Sequence, residues 1–200
     1  ELYNAGVKVL LNTPVTRELA GKLAPDVLIA AVGTVPAVPR IPGIEGKNVI
    51  MAGELAARES EIGQRVVVIG GGLVGCEAAL SLAMKGKDVS VIEMLPRAAQ
   101  DANPRHGPIL LDLLAKKANV YTNMKALEVR KDGLLCVNGE GEEVFFGADT
   151  IICAAGRRPL RSEILNLAGA APRVIEIGDC IAGGNMMHAT SQGYAAGLSI

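Results

Sequence analysis

The sequence predicts an α/β fold in which a central domain with a parallel sheet is set between two flanking segments. Three observations carry this. A buried-type strand, a glycine turn, a helix and a second strand follow one another from Arg65 to Glu93. A second helix-like segment and a short strand follow to Tyr121, continuing the alternation of a parallel sheet, which Thr150–Ala154 rejoins. Two similar strand-to-glycine exits, Ile29-Ala-Ala-Val-Gly33 and Ile152-Cys-Ala-Ala-Gly156, frame the centre. The segments expected are 1–63, 64–156 and 157–200, the first and last belonging to one unit that the central domain interrupts.

Each element has a local reason. Val7–Leu11 and Val27–Val32 read as strands. Thr34–Gly43, with Pro36, Pro39 and Pro42, excludes helix because proline lacks the N–H and fixes φ. Val66–Ile69 is a β-branched run suited to a strand buried on both faces. The helix expected over Leu73–Lys85 ends at Gly86, and Asp88–Ile92 returns as strand with Glu93 at its tip. A second helix over Pro104–Ala118 leads to a short strand at Asn119–Tyr121. Ala126–Arg130, Leu134–Val137 and Glu143–Phe146 are separated by Asp132-Gly133 and Asn138-Gly-Glu-Gly141, so an antiparallel meander is expected before Thr150–Ala154 rejoins the sheet. Val174–Ile177 then forms a strand, Gly178-Asp179 a sharp turn, and Ala189–Ile200 a helix.

The run Gly70-Gly71-Gly72-Leu73-Val74-Gly75 has a separate job for each glycine. Gly70 permits the tight turn, Gly72 lets backbone approach a pyrophosphate, and Gly75 lets helix pack against strand. The helix starting at Leu73 and Val74 aims unpaired N–H groups at the phosphates. Glu93 can accept hydrogen bonds from ribose hydroxyls, whereas a 2′-phosphate would meet like charge, so NADH is expected over NADPH. Met94 and Arg97 lie just past that tip, and an arginine there can accommodate a 2′-phosphate. Gly156 closes the same region.

Composition excludes other classes. Hydrophobic residues make up 50% of the chain, yet no apolar run reaches the about 20 residues that span a membrane. A net charge of −1 with 2% aromatics offers neither the basic footprint nor the stacking surface of a nucleic-acid binder. Cys76, Cys136, Cys153 and Cys180 are far apart, without a C-x-x-C pair for a metal or redox site. A reducing, cytoplasmic setting follows, with no leader segment and no metal centre expected.

The two exits, the central glycine run and Gly178-Asp179 together resemble the two-dinucleotide-domain flavoproteins over nearly the whole chain. That resemblance implies a Rossmann-like three-layer (β/β/α) NAD-binding domain inserted into a truncated FAD-binding domain of related fold. It implies that Gly33 and the proline-rich connector carry the chain between the two, and that Asp179 after Gly178 bonds the ribityl chain of FAD. Val68–Glu77, Val91–Pro96, Ala155–Pro159 and Met187–Ala196 are most similar to the 2-enoate reductase and 2,4-dienoyl-CoA reductase group. Membership there implies an upstream barrel carrying FMN and an iron–sulfur cluster, where an activated C=C bond is reduced with electrons taken from NADH through FAD. The family's first βαβ unit, which grips the FAD pyrophosphate, is not in the sequence. Self-association through the incomplete FAD unit is therefore expected, and no catalytic acid or base is assigned.

Other polar residues have bland readings beside sharper ones. Glu77 either orders a cofactor edge or complements the helix dipole. His106 and His188 read as surface, capping or packing residues, Asp101 and Asn103 as helix-start signals, and Lys116-Lys117 as a solvated helix end. Three classes stay open: an NADH-dependent flavoprotein reductase, an ADP-holding module like that of the trimethylamine dehydrogenases, and a disulfide or peroxide reductase of the same fold.

Overall fold

The computed structural model describes residue 2 and residues 4–200; Glu1 and Tyr3, in the first expected segment, lie outside the described residues. The chain divides into two compact units, one of residues 1–35 and 158–200 and one of residues 36–157. In chain order the elements are α1 (Arg17–Leu23), β1 (Val27–Ala30), β2 (Thr34–Pro36), β3 (Val49–Met51), β4 (Arg65–Ile69), α2 (Leu73–Met84), β5 (Asp88–Ile92) and α3 (Gly107–Ala115). They continue with β6 (Asn119–Tyr121), β7 (Lys125–Arg130), β8 (Gly133–Val137), β9 (Glu143–Gly147), β10 (Thr150–Cys153), β11 (Arg157–Pro159), α4 (Arg161–Leu167), β12 (Arg173–Glu176) and α5 (Met186–Leu198).

The central unit is the three-layer arrangement that the family resemblance implies. Its sheet has the order β3-β10-β4-β5-β6 with every pairing parallel, and β7-β8-β9 forms the antiparallel meander. Strand β4 shows why the layers form. Val66 and Val68 point into a core shared with Ala79 and Leu82 of α2 and Leu110 and Leu114 of α3. Val67 and Ile69 point the other way, into a core with Val129 of β7 and Leu134 and Cys136 of β8. Successive side chains of a strand face opposite sides, so an unbroken apolar run needs cover on both. Val66, Val67 and Val68 are 1%, 2% and 0% exposed, and each contributes about 1.5–3 kcal/mol by leaving water.

The central unit starts earlier than the sequence reading placed it, at Pro36 rather than Gln64. Strand β3 pairs with β10 at the sheet edge, so Val49–Met51 completes this sheet. The connector docks on the meander, where the Val129 N–H donates to the Pro42 carbonyl at 2.9 Å. Gly43, at φ +78°, lies so close to the Val129 carbonyl that a Cβ would collide with it.

In the other unit β1 and β12 pair in parallel, from Val27↔Arg173 to Ala30↔Glu176. Val7–Leu11 is not strand; the first regular element is α1, whose N-cap Thr16 accepts from the Leu19 N–H at 3.1 Å. The last helix begins at Met186, three residues before the expected start, because the Asn185 side chain caps it by accepting from the His188 N–H. Among the described residues, no helix is long and apolar enough to cross a membrane, and no cluster of three or more His, Cys, Asp or Glu could hold a metal ion.

Candidate functional site

The carboxyl ends of β4, β5 and β10 open into a cavity of about 660 Å³ in the central unit, within the size range of ligand sites. Of the residues the sequence singled out, Gly70, Gly72, Val74, Gly75, Glu93, Met94 and Gly156 line it. Gly71 and Leu73 stand behind that wall and contribute backbone N–H groups, while Arg97 is exposed and outside the lining.

The glycines are required by contact. Gly70 has φ +100°, and a Cβ there would collide with the Ala154 carbonyl. A Cβ on Gly75 would collide with the Gly70 carbonyl, so α2 can approach β4 this closely only with glycine at that position. Gly156 has φ +92° with open space where a Cβ would stand. These positions fit a pyrophosphate-bearing ligand lying across the strand ends, with α2 directed at it.

Glu93 is 7% exposed and holds the turn together as well as lining the cavity. Its Oε2 accepts from the Gly71 N–H at 2.6 Å and its Oε1 from the Leu95 N–H at 2.7 Å. A carboxylate has about four acceptor positions, so two backbone bonds leave room for a ribose hydroxyl.

Asp101 is the residue that sequence reasoning misplaced. Read as a start signal for the helix after it, it instead caps the glycine-run helix: its Oδ1 accepts the Leu73 N–H at 2.7 Å. Asn103 does act locally, accepting from the Arg105 N–H at 2.9 Å. Glu77 and His106 meet across α2 and the N-terminal end of α3, with Nε2 and Oε1 3.2 Å apart at the surface. Arg40 from the connector and Lys125 from β7 also line the cavity. Their positive charge suits phosphates, and neither stood out in the sequence because each is isolated there.

No cysteine is among the described residues that line this cavity. Burial pushes Cys76 up to about 11 and Cys136 up to about 12, and raises Cys153 as well.

The remaining candidates, Gly33, Gly178 and Asp179, come together in the other unit, where they line a separate cavity of about 450 Å³ with Asn185 and Met186. Gly33 and Gly178 have φ +74° and +73°, and a Cβ on either would face open space, so no side chain stands between the cavity and the chain there; the Gly178 N–H itself donates to the Gln192 side chain. Asp179 Oδ1 accepts from the Gly184 N–H at 3.2 Å.

A family model described as pyridine nucleotide-disulphide oxidoreductase matches residues 2–193. The chain belongs to that family. An NADH oxidase of Thermoanaerobacter brockii is 34% identical across 100% of this chain and 32% of its own length. A cinnamate reductase of Clostridium sporogenes is 29% identical across 100% of this chain and 30% of its own. Among solved structures, 2-naphthoyl-CoA reductase in complex with 2-naphthoyl-CoA superposes with a TM-score of 0.90 at 30% identity, covering 100% of this chain and 30% of that one. The chain thus spans about a third of the length of the relatives it matches. The family membership and these relatives, named as reductases and an oxidase, bear out the resemblance to enoate-reductase-type flavoproteins.

Proposed function

We propose that this chain is the nucleotide-binding portion of an NADH-dependent flavoprotein oxidoreductase that reduces an enoate or enoyl-type C=C bond. The observation that carries the reading is the convergence of Gly70, Gly72, Gly156, Glu93 and the N-terminus of α2 on one cavity at the strand ends. When bound, the nicotinamide would supply a hydride for FAD, and FMN with an iron–sulfur cluster in an upstream barrel would serve the C=C bond.

The chain's own residues bind and orient. Gly72 and the first turn of α2 present backbone to the pyrophosphate. Glu93 accepts from the adenosine ribose and disfavours a 2′-phosphate, so NADH is preferred. Gly156 lets the nicotinamide half lie against backbone at the end of β10. In the other unit Gly33 and Gly178 meet the flavin with backbone, and Asp179 accepts a ribityl hydroxyl. The family membership and a relative named cinnamate reductase support the substrate class. A cytoplasmic setting and self-association belong to the same proposal.

The test is anaerobic oxidation of NADH, with cinnamate-type acids and enoyl-CoA thioesters as acceptors, by a protein of the relatives' length that carries this segment. Acceptor-dependent loss of NADH absorbance that Gly72→Val abolishes is expected. Turnover with neither acceptor class, by a protein that keeps its flavin, contradicts the substrate assignment.

A further inference from the structure

Between β5 and α3 the chain folds back over the glycine turn as a strap. Its anchor is the Ala99 N–H, which donates to the Gly71 carbonyl at 2.6 Å, with Ala99 in left-handed backbone at φ 51°. A non-glycine residue enters that region at a cost, and here it bends the strap back toward α2. Two residues on, the Asp101 carboxylate takes the Leu73 N–H at 2.7 Å, and both its oxygens lie 3.5 Å from where a Cβ on Gly72 would stand.

Those two contacts fall on the atoms a phosphate needs. Leu73 carries the first N–H of α2, and Gly72 is the glycine whose missing side chain opens the backbone to a pyrophosphate. A carboxylate and a phosphate oxygen compete for such a site, because both are anions accepting from the same helix terminus. Asp101 also lines the 660 Å³ cavity and is exposed, so its side chain can rotate into water without burying its charge.

We propose that Asp101 is a built-in competitor for phosphate. It holds the N-terminus of α2 in the free chain and gives way when a dinucleotide docks. Nucleotide affinity is thereby lowered, and the site is kept for ligands whose other contacts compensate. This rests on the nucleotide-binding reading above. It differs in sign from a plain helix cap: losing a cap leaves affinity unchanged or weaker, whereas losing a competitor tightens it.

The experiment is calorimetric titration of this chain and its Asp101→Asn and Asp101→Ala variants with ADP and with adenosine. Asparagine keeps the size and the acceptor oxygen, so the fold survives at least in that variant, and far-UV circular dichroism checks both. ADP is expected to bind about 2- to 5-fold more tightly to the variants, the range of an exposed carboxylate's interaction with a helix N-terminus, with adenosine unchanged. ADP binding only to the variants is the same result in stronger form. Unchanged or weaker ADP binding in both variants overturns the proposal while leaving the nucleotide reading intact, and so does equal tightening of ADP and adenosine. Failure of all three proteins to bind ADP overturns the nucleotide reading and this proposal with it.

Discussion

At Gly75 a single methyl group decides whether α2 can seat. The Gly70 carbonyl occupies the space a Cβ would take, and it belongs to a turn already fixed by the Ala154 carbonyl on its other side. Gly75→Ala is therefore expected to cost about 1–3 kcal/mol as overpacking, read as a lower midpoint in urea unfolding. An unchanged midpoint would mean that the helix can move away from the strand. Glu93 carries a different lesson. From sequence alone, Glu93→Arg looks like a coenzyme switch, but the carboxylate also holds the Gly71 and Leu95 N–H groups. Losing it strands two backbone donors, so Glu93→Arg is expected to cost about 2 kcal/mol of stability and to weaken both NADH and NADPH. Tighter NADPH binding at undiminished stability would contradict that double role. The four thiols give a third expectation at this scale. Cys76, Cys136, Cys153 and Cys180 are all buried, so iodoacetamide should label none of them in the native chain and all four in urea, as read by mass spectrometry.

Among elements, those that packing makes long were the legible ones. The β4-α2-β5 unit and the meander could be read because buried strands need unbroken apolar runs and hairpin turns need Asp-Gly or Asn-Gly. The elements missed are short: α1 and α4 have 7 residues each and β3 has 3, too few for a periodic signal. Val7–Leu11 failed the other way, since an apolar run becomes a strand only if a partner strand accepts it, and Val7, Leu10 and Leu11 stay exposed. The Asp101–Leu73 bond joins residues 28 apart in sequence, where no local pattern reports it. One long-range clasp gives a pH prediction. Asp149 accepts from Arg65 Nη2 at 2.7 Å and from the Arg65 backbone N–H at 2.8 Å, joining the starts of β4 and β10. The Arg65 side chain is the main cause that holds the Asp149 carboxyl below its ordinary value. A carboxyl lowered in the folded state adds stability that is present above its unfolded pKa, about 4, and is lost as pH falls through the folded value. Asp149→Asn should therefore flatten the acid limb of a midpoint-versus-pH curve and leave the slope above pH 6 alone. An unaltered acid limb would show that the clasp does not persist in solution.

For the whole molecule, the family is shown by the match over residues 2–193, and the chain leaves one unit at residue 35 and returns to it at residue 158. The glycine run supplied the central unit, and the paired exits at Gly33 and Gly156 supplied the interruption. Met186, Tyr194, Leu198 and Ile200 are 83%, 73%, 72% and 68% exposed in and just beyond α5. Apolar surface of that kind favours association, and light scattering of the isolated chain is expected to give a mass above one copy; a monomer at high concentration would contradict this. The central claim is that the cavity at the ends of β4, β5 and β10 engages a whole dinucleotide and not its adenosine half alone. Parallel calorimetric titration of this chain with NADH, NADPH and ADP tests it most directly. NADH is expected to bind more tightly than either of the others, one per chain. Equal affinity for NADH and ADP would contradict engagement of the nicotinamide and leave an adenosine-holding module.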